Sequence, residues 1–213
     1  MKKLFSILFP TLALLCSCEE LGDDYYYPSV VTDYTCLLTN ASGQPHLLRL
    51  DNGSTYPITF ADEADKGSVY KADTTYRIIS IYELGADSIA LIHSMANTVS
   101  HIPTTLRSGE TLHQDPAYLE SCWLSGGFLN MVIELKALDG KHNIGFIDTT
   151  PAPMKGKEFT FYHRIISDVE AYRQKLYGSI PLKPFNKELQ QGDTLRFVIN
   201  TYNEGVIVRE FVM

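Results

Sequence analysis

The chain is poor in the residues that carry recognisable chemistry. It has four cysteines and one tryptophan in 213 residues. No CxxC pair occurs, which removes a zinc ribbon and a thioredoxin-type site. No HExxH is present, so a zincin helix is excluded, and no GxSxG marks a hydrolase nucleophile elbow. Past the first residues, no apolar run is long enough to span a bilayer. Basic side chains are also scarce, 18 against 25 acidic ones for a net charge of −7. Residues 31–100 set Arg49, Lys66, Lys71 and Arg77 against Asp33, Asp51, Asp62, Glu63, Asp65, Asp73, Glu83 and Asp87. Phosphate backbones require the opposite balance, so nucleic acid is excluded as a partner.

What is present begins at the N-terminus. Lys2 and Lys3 precede an apolar run from Leu4 to Leu15, the charged and hydrophobic regions of a secretory signal. The run ends in Leu15-Cys16-Ser17-Cys18, which resembles a bacterial lipobox. The expectation is a cleaved signal peptide over 1–17 and lipidation of Cys18, which leaves attachment to the membrane through a lipid anchor. The rival is an ordinary secretion signal cut nearby. Glu19, Glu20, Asp23 and Asp24 make residues 18–29 an acidic tether. Such a cluster after the lipidated cysteine resembles the surface-export signal of Bacteroidetes lipoproteins. It points to the outer membrane, facing the exterior; a solvated linker without an address is the alternative.

The rest reads as all-β. Tyr, Phe and β-branched residues recur in short alternating runs between turn clusters such as Asn40-Ala41-Ser42-Gly43 and Asp51-Asn52-Gly53. Five runs between Val30 and Val99 predict a first β domain over 30–100, a small barrel or a sandwich. Pro103 and Pro116 sit in a stretch without periodicity, which predicts a linker over 101–116. Further alternating runs predict a β-sandwich over 117–213. A polar connection over Ala61–Tyr70 allows one helical turn, and Asp168–Tyr177 reads as a short helix with Asp168 as its N-cap. Cys36 and Cys122 either pair in an oxidising compartment or remain free thiols inside strands; the strict geometry of a bridge favours free thiols.

Candidate contact residues are few. Tyr34, Tyr56, Tyr70, Tyr76 and Tyr82 with Trp123 could stack on a sugar ring, but strand aromatics more often pack a core. His163 and Asp168 could approach one another to orient a partner or a metal, but one His–Asp pair is not a ligand set. No cofactor, metal site or catalytic group is expected.

The order of these features resembles the NigD-like family of Bacteroidetes lipoproteins. The resemblance rests on the lipobox with its acidic follow-on, Asp23-Asp24-Tyr25-Tyr26-Tyr27-Pro28, the Asp51-Asn52-Gly53 hairpin and Tyr76-Arg77-Ile78-Ile79-Ser80-Ile81-Tyr82. It continues through Tyr118–Met131 with Trp123 and Gly126-Gly127, and Phe161-Tyr162-His163 followed by Asp168. It implies an N-terminal five-stranded OB-like barrel, a C-terminal Ig-like β-sandwich and a link to bacteriocin production or immunity, with no reaction, ligand or active site to carry over. The expectation is a non-catalytic lipoprotein that binds an envelope protein partner; a surface glycan-binding module is the alternative.

Overall fold

The computed structural model describes residues 29–62 and 70–213. The signal peptide, Cys18, nearly all of the tether and residues 63–69 of the expected helical turn lie outside the described residues. Twelve strands follow in order: β1 (Val31–Thr39), β2 (Pro45–Arg49), β3 (Thr55–Phe60), β4 (Thr75–Leu84), β5 (Ala90–Asn97), β6 (Tyr118–Ser125), β7 (Phe128–Ala137), β8 (Lys141–Asp148), β9 (Gly156–Ser167), β10 (Tyr172–Pro181), β11 (Thr194–Thr201) and β12 (Gly205–Val212). Among the described residues no helix is long and apolar enough to cross a membrane.

Strands β1–β5 close into a five-stranded barrel in the order β1-β2-β3-β5-β4. Its interior holds Leu37, Leu48, Ile78, Tyr82, Ala90 and Ile92, all buried. The remaining strands form the sandwich, with sheets β10-β7-β6 and β12-β11-β9-β8. Between them lie Leu129, Met131, Ile133, Phe146, Phe159, Phe161, Ile180, Leu195, Phe197 and Ile199.

Two barrel strands are buried on both faces, which departs from the alternation of a half-exposed strand. Residues 34–37 and 77–80 are buried without interruption. One face of each fills the barrel; the other is covered by the outer face of the three-stranded sheet. The Tyr34 hydroxyl donates to the Met131 carbonyl at 2.6 Å, and its ring meets Trp123 edge-on with centroids 5.3 Å apart. Arg77 lies beside it with 2% of its side chain exposed. Its guanidinium donates to both Asp51 carboxylate oxygens at 2.5 and 2.9 Å and to Asn130 Oδ1 at 3.0 Å. It also stacks 4.2 Å from the Phe128 ring centroid. The Ser179 hydroxyl donates to the same Asn130 oxygen at 2.8 Å. Asp51 belongs to the barrel hairpin predicted from Asp51-Asn52-Gly53, so the turn places the counter-charge. Gly126 (φ +61°) packs so close to Asp51 that an added Cβ would collide with the carboxylate.

The helix expected over Asp168–Tyr177 is absent; Tyr172–Tyr177 instead opens β10. Ten residues pair with β7, from Tyr172 opposite Ala137 to Pro181 opposite Phe128. Leu176 packs on the sandwich core, while Arg173 and Lys175, on the other face, meet Glu134 and Glu120. Alternation and a waiting strand edge overrode local propensity. Asp168 does cap backbone N–H groups, but those of Leu138 and Val169 at the strand ends.

Strands β9 and β11 pair in parallel only from Gly156 to Thr160, opposite Thr194 to Val198, and then diverge. Residues 113–117 fill the gap. The His163 N–H donates to the His113 carbonyl, Asp115 N–H to the His163 carbonyl, Ala117 N–H to the Asn200 carbonyl and Tyr202 N–H to the Ala117 carbonyl. Upstream, Thr104 bridges Ile147 and Val99 bridges Gly178. The stretch expected to connect the two domains is thus laid along the sandwich for much of its length.

Arg77→Ala removes the cation and leaves Asp51 facing an apolar seam. Loss of one partner of a buried pair costs about 3–5 kcal/mol. Urea denaturation is expected to show a loss of that size, whereas Arg173→Ala at the exposed pair with Glu134 should change stability by no more than about 1 kcal/mol.

Candidate functional site

Most candidate residues from the sequence are structural. Tyr34 is 3% exposed in the barrel–sandwich seam, and Tyr82, also 3% exposed, lies inside the barrel. Tyr56 packs half-buried against the barrel core. Trp123 is half-buried under Tyr34. His163 is 1% exposed. Tyr34, Tyr82 and His163 therefore offer no free face to a ligand, a correction with two causes: Tyr34 and His163 lie on strand faces that other parts of the chain cover, and Tyr82 fills the barrel interior. The exposed half of the three-stranded sheet carries the aromatic rings Tyr118 and, beside it, Tyr202, their centroids 4.8 Å apart. Arg173 sits over Tyr118 at 4.0 Å and Lys136 over Tyr202 at 4.2 Å.

Cys36 and Cys122 are free thiols. Burial pushes the Cys122 thiol up to about 12, which keeps it protonated and a poor nucleophile.

Three concavities stand out among the described residues. One of about 710 Å³ opens where barrel and sandwich meet; Tyr70, Tyr76, Phe128 and His101 provide rings, and Asn97 and Ser100 provide polar groups. Arg77 also lines it but is engaged with Asp51. The second, about 530 Å³, shares His101 and continues past Thr104 and Glu110 to Tyr162 and Arg164. The third, about 280 Å³, is a slot at the end of the sandwich remote from the seam. Leu135, Ala137, Ile144 and Leu176 wall it, and His142, Asp168 and Gln174 edge it.

This end of the sandwich combines two features. Leu138, Ile166, Val169 and Tyr172 are exposed by 46, 51, 66 and 70%. Their neighbours in the fold are fixed: Tyr172 pairs opposite Ala137, and the Leu138 N–H donates to the Asp168 carboxylate at 3.1 Å. Leu138 also lines the slot, and several large exposed apolar groups at one end of a domain are the usual mark of a protein contact. Beneath them runs a buried polar chain. His142 Nε2 lies 2.7 Å from Asp168 Oδ2, His142 Nδ1 lies 2.8 Å from His163 Nε2, and His163 Nδ1 lies 2.9 Å from the Asp115 carbonyl oxygen. The imidazole rings are within 9° of parallel. His163 and Asp168 thus do come together, but through His142, which sequence reading did not single out. Ile144 pairs opposite His163 and His142 opposite Ile165, so the histidines are diagonal neighbours on one face. That relation requires the register and is invisible without it.

Burial, the main influence on His163, pulls its pKa below the ordinary 6.5; the Asp115 carbonyl partly offsets this and His142 adds to it. For Asp168, burial works upward but is outweighed by the hydrogen bond from His142 and by backbone N–H groups of Leu138, Val169 and Gly140, which hold it down to about 2. Gly140 admits this approach: a Cβ there would collide with the Ser167 carbonyl and the Asp168 side chain. Among the described residues no group of three or more His, Cys, Asp or Glu side chains is arranged to hold a metal ion. The arrangement can fix a turn and present an apolar tip; it brings no nucleophile to an open cavity.

Comparison with known proteins follows the same lines. The family model described as the NigD-like C-terminal beta sandwich domain matches residues 100–213, more than half of the chain. Among solved structures, the chain is similar to a NigD-like immunity protein from Bacteroides caccae, with a TM-score of 0.70 and 26% identity, covering 88% of this chain and 99% of that one. It shares its fold with a protein from Parabacteroides distasonis provisionally described as toxin-related, at a TM-score of 0.66 and 17% identity over 86% of this chain and 93% of that one. It also shares its fold with a provisionally assigned lipoprotein from Bacteroides fragilis, at 0.56 and 9% over 85% and 96%. No curated protein matches.

The depressed His163 predicts an acid-sensitive sandwich. The unfolded chain takes up this proton near the ordinary value of about 6.5, while the folded protein takes it up at lower pH. The contribution is complete above that value and is lost as pH falls through the window below it. Chemical denaturation between pH 7.5 and 5.5 is expected to show stability falling with acid, and His163→Gln should flatten that slope.

Proposed function

From the fact that the chain belongs to the NigD-like family, we propose that it is a non-catalytic, lipid-anchored protein of the outer membrane that faces the exterior and binds a protein partner in bacteriocin immunity. The observation that carries this reading is the match to the Bacteroides caccae immunity protein, which extends over 88% of this chain and includes the barrel as well as the sandwich. The anchor is supported by Leu15-Cys16-Ser17-Cys18 behind a charged and apolar leader. The acidic residues after Cys18 support the outward address. Partner binding is supported by the exposed side chains of Leu138, Ile166, Val169 and Tyr172 at this end of the sandwich, where Leu138 lines a slot walled by apolar side chains. Lipid at Cys18 fixes the protein at the bilayer, the tether sets its reach, and the sandwich tip makes the contact.

A second reading, binding of a surface glycan, draws on the seam cavity, where Tyr70, Tyr76 and Phe128 stand beside Asn97 and Ser100. The two readings place the ligand at different sites.

Cys18→Ala should move the protein from the membrane fraction to the soluble one, with the mass of the diacylglycerol lost. Intact mass spectrometry that finds the native protein unmodified at Cys18 would exclude the anchor. Val169→Ser with Tyr172→Ala is expected to abolish protection of producing cells against their own bacteriocin while changing stability by no more than about 0.5 kcal/mol per substitution. Loss of protection from Tyr76→Ala instead would move the site to the seam.

A further inference from the structure

The buried chain at the sandwich tip admits a count of its protons. The Asp115 carbonyl oxygen can only accept, so His163 Nδ1, 2.9 Å away, carries hydrogen. The Asp168 carboxylate accepts from the Val169 N–H at 2.6 Å and from the Leu138 N–H at 3.1 Å. These bonds hold its pKa down to about 2, so it is ionised, and His142 Nε2, at 2.7 Å, carries hydrogen as well. Between His142 Nδ1 and His163 Nε2 there is 2.8 Å. That contact is a hydrogen bond only if one of the two nitrogens, and not both, is protonated. Two rings with four nitrogens then hold three protons and a charge of +1, opposed by Asp168. The charge lies on the His142 side, next to the carboxylate.

We propose that His142 and His163 share one bridging proton and act as a single cationic latch, which holds the 113–117 segment and the Asp168 turn onto the sandwich and releases them when the pair gains or loses a proton. The pair touches each part it would hold. His142 is on β8 and His163 on β9; Asp115 is in the segment between β9 and β11, and Asp168 closes the turn against Leu138 and Gly140. A fourth proton sets two imidazolium rings against each other, with centroids 5.1 Å apart. Removal of the third sets two lone pairs against each other at 2.8 Å. Either change replaces an attraction by a repulsion in a site where the His142 and Asp168 side chains are 7% and 2% exposed, so little water screens it.

The other titratable groups around the pair are accounted for. The Asp115 carboxylate accepts from the Ile165 N–H at 2.6 Å. On the same segment, the His113 ring rests against Tyr162 with centroids 5.9 Å apart. Lys175 and Asp139 border the slot with His142, and Lys175 is paired with Glu120 at 2.8 Å. Lys141 precedes His142 at the exposed start of β8. Asp168 is the carboxylate in hydrogen-bond contact with either ring.

The test is nitrogen NMR of the full-length protein in detergent micelles with ¹⁵N-labelled histidine, assigned through His142→Gln and His163→Gln. At pH 7 the two rings should show three protonated nitrogens, one of them in the N–H···N bridge, and the protection of the His163 and Ile165 amides, taken against the intrinsic exchange rate at each pH, should be greatest there. That protection should fall at least tenfold toward acid and toward alkali. Asp168→Asn separates this account from simple packing. Its amide can donate to His142 Nε2, so the pair should drop to two protons with the bridge and the fold retained. Two or four ring protons in the wild type, three in Asp168→Asn, or protection that does not change with pH would each overturn the latch.

Discussion

The guanidinium of Arg77 is the point on which the rest of the structure turns. It is buried between barrel and sandwich, and its partners come from both domains: Asp51 from the barrel hairpin, Asn130 and Phe128 from β7 of the sandwich. A buried cation tolerates little displacement, because each lost hydrogen bond exposes a desolvated charge. Burial alone would hold two β domains together without fixing their angle. The fork of Arg77 fixes it, with Asp51 and Asn130 in two directions and the Phe128 ring in a third. The Tyr34 hydroxyl on the Met131 carbonyl adds a second fixed point on the same face.

Much of this fold was legible in the sequence, and the limits were physical. Period-two patterns gave the strands, and Asp51-Asn52-Gly53 gave its hairpin, because those signals are local. The run Tyr34–Leu37 looked like any half-buried strand, since nothing local announces that a second layer will cover the outer face. The same blindness turned Tyr34 into a candidate ligand contact, and Tyr82 became one because alternation alone does not say which face of a strand closes inside a barrel. At Asp168–Tyr177 a good N-cap suggested a helix, and the free edge of β7 decided otherwise.

The site was less legible than the fold. His163 and Asp168 could be named as a pair from sequence, but not the ring between them. His142 becomes their link only through the register of β8 on β9, and Asp115 only because the chain from 113 to 117 runs beside β9. Both facts are long-range. The apolar tip was equally hidden: Ile166, Val169 and Tyr172 share one short stretch, but Leu138 lies far from them in sequence and joins them only through the fold.

The segment 113–117 also says where the sandwich begins as a heritable unit. It precedes the first sandwich strand, yet it supplies backbone partners to His163, Asn200 and Tyr202. A graft cut at Tyr118 would carry every sandwich strand and still leave an unclosed slit between β9 and β11, with raw edges inviting another chain to fill it. The family match starting at residue 100 includes that missing stave. Any transplantation of the module has to carry that upstream splint with it.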